Sequence, residues 1–415
     1  MKREGIIVGG GAAGLLAAIT AAEAGASVTI LEHMPRVGKK ILSTGNGKCN
    51  MTNLHMTAEC YRSGVEGVPM QVIDKFSVAD TIAFFRRLGV LTTDRNGYVY
   101  PASGQAQTVL DALRDKADSL GIRTCCDSKV LSINKKKEGR FAVKTETQTY
   151  SADFVILCAG SMAAKTTGSD GSGYELAKSL GHKIKKPLPA LVQLKCKGDF
   201  FKSIAGVRTD VKVSLYVMDK NGNCGAFLAQ DQGELQLTDY GISGIPVFQV
   251  SRYAAEALDH KKRVLAVIDF MPDMPEDELF TVLKDQRNYL GDRAAGDFIN
   301  GLFNKKLAAL FLKAVHIRQE QPVSEIANKK LAELCRVIKE FSFEVVGTNP
   351  FDKAQICMGG VDLRDVNTET MESRLVPGLY FAGEILDVDG ICGGYNLQWA
   401  WSSGHLSAVC ATGRK

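Results

Sequence analysis

Gly5-Ile6-Ile7-Val8-Gly9-Gly10-Gly11-Ala12-Ala13-Gly14, followed by the small-residue run Leu15 to Ala24, decides the fold. A short apolar, β-branched run, a glycine turn and a helix-forming stretch occur in the order that a βαβ unit needs. Gly9 permits the tight turn, Gly11 lets the backbone approach a pyrophosphate, and Gly14 lets helix and strand pack closely. Ala12 and Ala13 stand within the turn, and the helix after it offers free N–H groups and a positive dipole end that suit phosphates. The second strand, Ser27 to Leu31, ends in Glu32, placed to accept hydrogen bonds from an adenosine ribose. A carboxylate there repels a 2′-phosphate, so FAD and NAD stay open and NADP at this site does not.

The stretch beyond Glu32 favours FAD. Arg36 to Leu42 leads into Ser43-Thr44-Gly45-Asn46-Gly47-Lys48-Cys49-Asn50-Met51-Thr52-Asn53, a polar loop rich in backbone donors and amides, where an NAD dehydrogenase would return to its next βα unit. Gly121 to Cys126, Lys129 to Asn134, Arg140 to Glu146 and Gln148 to Tyr150 alternate as short strands. Ala152 to Cys158, with Ala159-Gly160, then reads as a buried parallel strand ending in glycine. Near the C-terminus, Gly378 to Gly383 is another short strand ending at Glu384. Asp387 to Gly390 comes next, and Gly393-Gly394-Tyr395-Asn396 opens a helix running to about Cys410. A carboxylate at that strand end suits ribityl hydroxyls, and the helix start suits a flavin pyrimidine, where negative charge grows on reduction.

The bulk properties fit a globular protein with room for a large ligand. The chain has 415 residues, 45% hydrophobic and 23% charged, enough for two or three domains. Its net charge of +5 is scattered, and the one dense run, Lys135-Lys136-Lys137, stands beside Glu138-Gly139 as a solvated hairpin turn. A nucleic-acid partner is therefore not expected. Eleven scattered cysteines form no CxxC pair and no zinc-type Cys/His cluster, so no metal site is expected and the thiols read as reduced. The start resembles a secretory leader, but Glu4 and Glu23 interrupt it and cleavage would remove the glycine fingerprint. No other segment approaches the ~20 apolar residues of a membrane span. A cytoplasmic protein is expected.

These segments together resemble the BaiN-like or aminoacetone-oxidase-like bacterial flavoproteins, also called predicted NAD(FAD)-utilising dehydrogenases. The matching stretches are Ile6 to Gly14, Gly38 to Asn53, Gly168 to Gly181 and Pro377 to Ser403. The resemblance implies an α/β fold: a Rossmann-like, glutathione-reductase-like FAD-binding domain, discontinuous, with an inserted β-barrel-like domain and a small helical domain. The expected boundaries are 1–189 with 346–415, 190–273 with 322–345, and 274–321. It also implies non-covalent FAD, with the pyrophosphate on Gly9, Gly11, Ala13 and Gly14, the ribose on Glu32 and the adenine near Val130. The flavin would contact Lys39, Lys40, Thr44, Gly45, Gly47, Gly383, Glu384, Tyr395, Asn396 and Leu397. Ala12, His33, Asn46, Cys49, Asn50, Ala159, Gly160, Asp389 and Gly394 complete the candidate set. Asn46 departs from the glycine of many relatives.

In the inserted part, Leu191 to Lys195, Val211 to Met218, Gly225 to Ala229 and Glu234 to Thr238 read as strands, with Asn221-Gly222 as a hairpin turn. Asp277 to Tyr289, Ala294 to Phe303 and Lys305 to His316 have helical spacing. A flavin supplies its own redox chemistry, so no obligatory catalytic constellation exists and no catalytic residue is assigned. Cys49, a conceivable charge-transfer thiolate, reads as a packing residue, and His33 and His55, conceivable flavin attachment points or acids, read as surface or packing residues. Tyr240, Arg252, Tyr253 and Tyr395 are candidate donors to a substrate carbonyl, and Trp399 and Trp401 read as packing between domains. The expected activity is FAD-dependent oxidation or reduction of a small organic molecule, leaning to NAD(P)H-dependent reduction of a conjugated C=C of oxo-bile-acid type. No second GxGxxG unit exists, so NAD(P)H would be a transient visitor. The alternatives are an aminoacetone-type amine oxidase using O2, and a non-catalytic or RNA-associated flavin-binding protein.

Overall fold

The glycine fingerprint folds as its spacing predicts. In a computed structural model describing residues 2–413, strand Glu4–Val8 leads into helix Ala12–Glu23 and strand Ser27–Leu31, which pairs in parallel with the first. Gly14 has no alternative: a Cβ there would lie 1.9 Å from the Gly9 carbonyl oxygen. The chain divides into two compact units, Met1–Leu188 with Ala354–Lys415, and Pro189–Lys353.

The first unit is built on a seven-stranded sheet. Its order is Val366–Asn367, Glu372–Ser373, Leu379–Phe381, Phe154–Leu157, Glu4–Val8, Ser27–Leu31 and Arg123–Cys125. Ile156 aligns with Ile7 on one side and Tyr380 on the other, all in parallel register, so strands from both chain ends share one sheet. Strands Val130–Lys135, Phe141–Thr145 and Thr149–Ala152 form an antiparallel meander. Arg123–Cys125, expected among these short strands, instead joins the main sheet beside Ser27–Leu31. One face of this sheet, with Ile7, Ile30 and Ile156, packs with Leu15, Leu16 and Ile19 of the first helix, and the other, with Ile6, Val8 and Val155, shares a core with Ile133, Phe141 and Val143 of the meander.

The last helix, Tyr395–Thr412, is buried almost all round, so its polar groups need internal partners. Trp399 Nε1 donates to the Gly383 carbonyl (3.1 Å), Trp401 Nε1 to that of Met51 (3.0 Å), and Gln398 Nε2 to that of Phe76 (3.0 Å). Both indoles thus pack inside the first unit, not between domains. Gly404 lets this helix lie against the first one, since a Cβ there would stand 2.6 Å from the Ala13 carbonyl oxygen.

The second unit is a closed antiparallel barrel with helices. Its strand order is Leu194–Cys196, Gly241–Gly244, Cys224–Thr238, Arg208–Met218, Val264–Asp269 and Phe341–Thr348, which returns to the first. The two strands expected at 225–229 and 234–238 are one fifteen-residue strand, joined by a tight turn at Asp219–Asn223 to its partner. Helix Ile245–Asp259, not anticipated, places Val247, Val250 and Ala254 in the barrel core with Val213, Leu235 and Ile268. The interior is therefore packed with side chains. Helices Glu276–Leu290, Lys305–Ala314 and Asn328–Lys339 share that core. The helix expected over Ala294 to Phe303 is a single turn, Ala295–Asp297, followed by irregular chain. Gly296 and Gly301 weaken a helix there, and Asn300 Nδ2 bonds Asp297 Oδ1 (2.9 Å) instead, while Phe298, Ile299 and Phe303 still reach the core.

Candidate functional site

The first unit brings its candidate residues together at the C-terminal ends of the parallel strands. Gly9, at φ 99°, lies against the next strand's end, where a Cβ would meet the Cys158 carbonyl oxygen at 2.5 Å and Ala159 Cα at 3.0 Å. Ala159 and Gly160 therefore flank the glycine turn. Gly11 is different: its backbone is extended, and a Cβ would meet nothing within 4 Å. The space at that point, beside the start of the helix, is open, which a pyrophosphate suits.

Glu32 is buried at the end of the second strand. Its carboxylate accepts from the Gly10 N–H (2.8 Å) and the Met34 N–H (2.8 Å), one bond on each oxygen. Each oxygen keeps a further lone pair, so ribose hydroxyls remain acceptable donors. His33 Nδ1 lies 3.8 Å from Glu32 Oε1. Ser128 N–H donates to the Glu32 carbonyl (2.8 Å), which sets Val130 close by in sequence at the same edge.

The polar loop after the second strand adopts a left-handed turn. Gly45 (φ 55°), Asn46 (φ 53°) and Gly47 (φ 81°) are all left-handed, as is buried Cys49 (φ 59°). Asparagine tolerates this conformation better than other non-glycine residues, so the departure at Asn46 keeps a left-handed backbone. Lys48 N–H donates to the Gly45 carbonyl (3.1 Å), and Cys49 N–H to that of Thr44 (3.0 Å). The segment Gly45 to Lys48 is otherwise exposed. Just before it, Lys39 Nζ donates to the Thr166 carbonyl (3.1 Å), and Lys40 Nζ to Glu384 Oε2 (2.6 Å) and the Ala163 carbonyl (3.3 Å). Glu384 also accepts from Ser161 Oγ (2.7 Å) and the Cys357 N–H (3.2 Å). Ser161 escaped the sequence reading.

The last helix starts beside this loop. A Cβ on Gly394 would stand 2.6 Å from the Thr52 carbonyl oxygen and 2.9 Å from Asn50 Oδ1. Asn50 Oδ1 is buried without a hydrogen-bond partner. Asn53, another residue not singled out, donates from Nδ2 to the Gly393 carbonyl (3.0 Å). Asn396 turns back on its own segment: Oδ1 accepts from Gly390 N–H (2.8 Å) and Nδ2 donates to the Gly390 carbonyl (2.9 Å). The Tyr395 carbonyl accepts from Tyr61 Oη (2.8 Å), Leu397 packs on the first helix's core, and Asp389 is buried on strand Val388–Gly390. Gly383 touches the first helix, a Cβ there lying 2.8 Å from Ala13 Cβ.

The HI0933-like protein Rossmann domain model matches residues 3–410. The chain belongs to the HI0933-like family. The HI0933-like chain is 43% identical over the whole of both sequences to a 3-dehydro-bile acid delta(4,6)-reductase of Clostridium scindens. It is 28% identical, over 98% of each, to a ribosomal RNA dihydrouridine synthase of Haemophilus influenzae. A 3-ketosteroid delta1-dehydrogenase of Sterolibacterium denitrificans shares the fold over all of both chains at TM-score 0.50 and 11% identity. The HI0933-like chain is a flavin-dependent oxidoreductase with a Rossmann-type dinucleotide site.

FAD fits the residues present in this HI0933-like site. The open space before Gly11 and the half-used carboxylate of Glu32 suit pyrophosphate and ribose, and the polar loop with its left-handed backbone meets the start of the last helix, where Asn50 Oδ1 is buried without a partner. Burial pushes the Cys49 thiol up to about 12, which opposes a thiolate. Of the candidate donors, Tyr395 lies in the first unit, whereas Tyr240, Arg252 and Tyr253 lie in the second. Tyr240 Oη accepts from Asn349 Nδ2 (3.0 Å), and the Arg252 guanidinium sits 5.3 Å over the Tyr253 ring. Among the described residues no group of three or more His, Cys, Asp or Glu could hold a metal, and no helix is long and apolar enough to cross a membrane.

Proposed function

We propose that this HI0933-like protein is a cytoplasmic reductase of a carbon–carbon double bond conjugated to a carbonyl, in a steroid-like small molecule. FAD is its bound cofactor and NAD(P)H its transient co-substrate. The observation that carries the reading is the end-to-end 43% identity to a 3-dehydro-bile acid delta(4,6)-reductase. A second relative supports the reaction type: dihydrouridine is uridine with its ring double bond saturated, and that bond is also conjugated to a carbonyl. A small molecule is favoured over RNA, because the densest basic run lies at a hairpin with Lys136 Nζ 3.8 Å from Glu138 Oε1.

The balance is simple. NAD(P)H delivers a hydride and solvent a proton, so the C=C becomes CH–CH and NAD(P)+ leaves. FAD, held by the residues named next, would supply the two-electron redox chemistry between them. The chain's task is holding: Gly9, Gly11, Ala12, Ala13 and Gly14 for the pyrophosphate, Glu32 for the ribose, and the segments around Lys39–Asn50, Gly383–Glu384 and Gly394–Leu397 for the ribityl chain and ring.

The test is anaerobic mixing of the yellow protein with NADH or NADPH, followed by a 3-oxo-Δ4,6 steroid acid. Bleaching by NAD(P)H and recolouring by the enone is the expected result. Bleaching by aminoacetone alone, with recolouring by O2, would replace this reading with an amine oxidase. Recolouring by unmodified ribosomal RNA but not by the enone would move the substrate to nucleic acid.

A further inference from the structure

Glu384 and Lys40 meet from opposite sides of the glycine turn. Lys40 lies beyond strand Ser27–Leu31 and Glu384 beyond strand Leu379–Phe381, and the sheet order puts Phe154–Leu157 and Glu4–Val8 between them. Their 2.6 Å ion pair therefore reaches across the ends of the two strands that flank the open space before Gly11. Ser161 stands at the joint. It is fully buried, its hydroxyl donates to Glu384 Oε1 (2.7 Å), and it accepts from the Ala163 N–H (3.1 Å). The loop it orients presents the Ala163 carbonyl to Lys40 and the Thr166 carbonyl to Lys39.

We propose that Ser161 is a positioning residue that fixes the Lys40–Glu384 pair as a clasp across the dinucleotide cleft, and that this clasp limits release of the bound cofactor. The long, flexible Lys40 side chain has two acceptors, and on the far oxygen of the carboxylate the Ser161 hydroxyl (2.7 Å) is a closer donor than the Cys357 N–H (3.2 Å). One buried hydroxyl restrains both the carboxylate and the loop. The inference rests on FAD being the bound cofactor.

The test measures FAD release from the holoenzyme as recovery of free-flavin fluorescence after dilution, beside the melting temperature of each apoprotein. Ser161→Ala removes a hydrogen bond to a charged group and is expected to speed release about tenfold. Ser161→Thr keeps the hydroxyl and is expected to release at nearly the wild-type rate. Glu384→Gln is expected to speed release as well, and the Ser161→Ala/Glu384→Gln double variant no further, because both act through one clasp. An unchanged rate in Ser161→Ala, or fully additive effects in the double variant, overturns the proposal whatever the melting temperatures do. If the wild-type protein takes up no FAD at all, the cofactor reading has failed instead.

Discussion

Gly11→Ala separates cofactor binding from folding more cleanly than any other change in the fingerprint. The added Cβ meets no protein atom within 4 Å, and the backbone, at φ −80° and ψ −165°, is allowed to alanine. On the folding side, replacing glycine at a compatible position stabilises by about 0.4–1 kcal/mol through the unfolded chain. Alanine in place of glycine at a helix N-cap costs on the order of 1 kcal/mol, so the two nearly cancel. On the binding side, the methyl occupies the space where phosphate oxygens would approach the helix N–H groups. Losing one or two bonds to a charged group, each worth about 1.5–3 kcal/mol, raises the FAD dissociation constant by roughly 10- to 10⁴-fold. Titration of apoprotein with FAD, followed by flavin fluorescence quenching, measures the second quantity, and circular dichroism melting measures the first. A Gly11→Ala protein that binds FAD within twofold of wild type, at an unchanged melting temperature, would refute the placement of the pyrophosphate.

Gly14→Ala should behave in the opposite way: with a Cβ 1.9 Å from the Gly9 carbonyl oxygen, the apoprotein itself loses about 1–3 kcal/mol or fails to fold, read as its melting temperature. Native-state alkylation should label exposed Cys224 and spare buried Cys49, Cys158 and Cys357, whose thiols burial pushes up, and the bound flavin should show no thiolate charge-transfer band; rapid labelling of Cys49 would contradict its packing role. His182 predicts acid sensitivity. Nδ1 lies 3.1 Å from the Ala177 carbonyl and Nε2 2.8 Å from Ser373 Oγ, which already accepts from the Leu375 and Val376 N–H groups. Burial depresses its pKa below 6.5, so its contribution is present above that pH and is lost as pH falls through the folded value. Urea midpoints should be flat from about pH 7 upward and decline toward pH 5, with the decline reduced in His182→Gln.

The features legible in the sequence were those that local geometry dictates. The left-handed backbone of Gly9 and the contact of Gly14 with the Gly9 carbonyl are both met within a few residues of chain. The C-terminal strand's placement was not local: Leu379–Phe381 pairs with a strand more than two hundred residues earlier, and only resemblance pointed to it. Helix Ile245–Asp259 escaped because alanines dilute its apolar stripe, although Gly244 followed by Pro246 was a usable start signal. The stretch Ala294 to Phe303 failed in the other direction. Its apolar spacing is helical, but two glycines and an Asp–Asn bond give the same burial to a non-helical path. Ser161 carried no signal at all, because its partner Glu384 is 223 positions away.

The carboxylates around this cleft show why its charges had to be read in three dimensions. A dinucleotide brings two phosphates, so bare buried acids nearby would oppose binding and would themselves be costly to desolvate. Glu32 is offset by two backbone N–H groups and Glu384 by Lys40. Asp387, three residues beyond Glu384, pairs with Lys185 at 2.5 Å and accepts from the Gly64 N–H at 3.1 Å. Burial still raises the Asp387 pKa, so its pairing compensates the desolvation incompletely. The Lys185 ammonium lies 1.4 Å from the point a Gly64 Cβ would occupy. Gly64 has no left-handed backbone to explain it; its missing side chain is the space in which a lysine neutralises an aspartate.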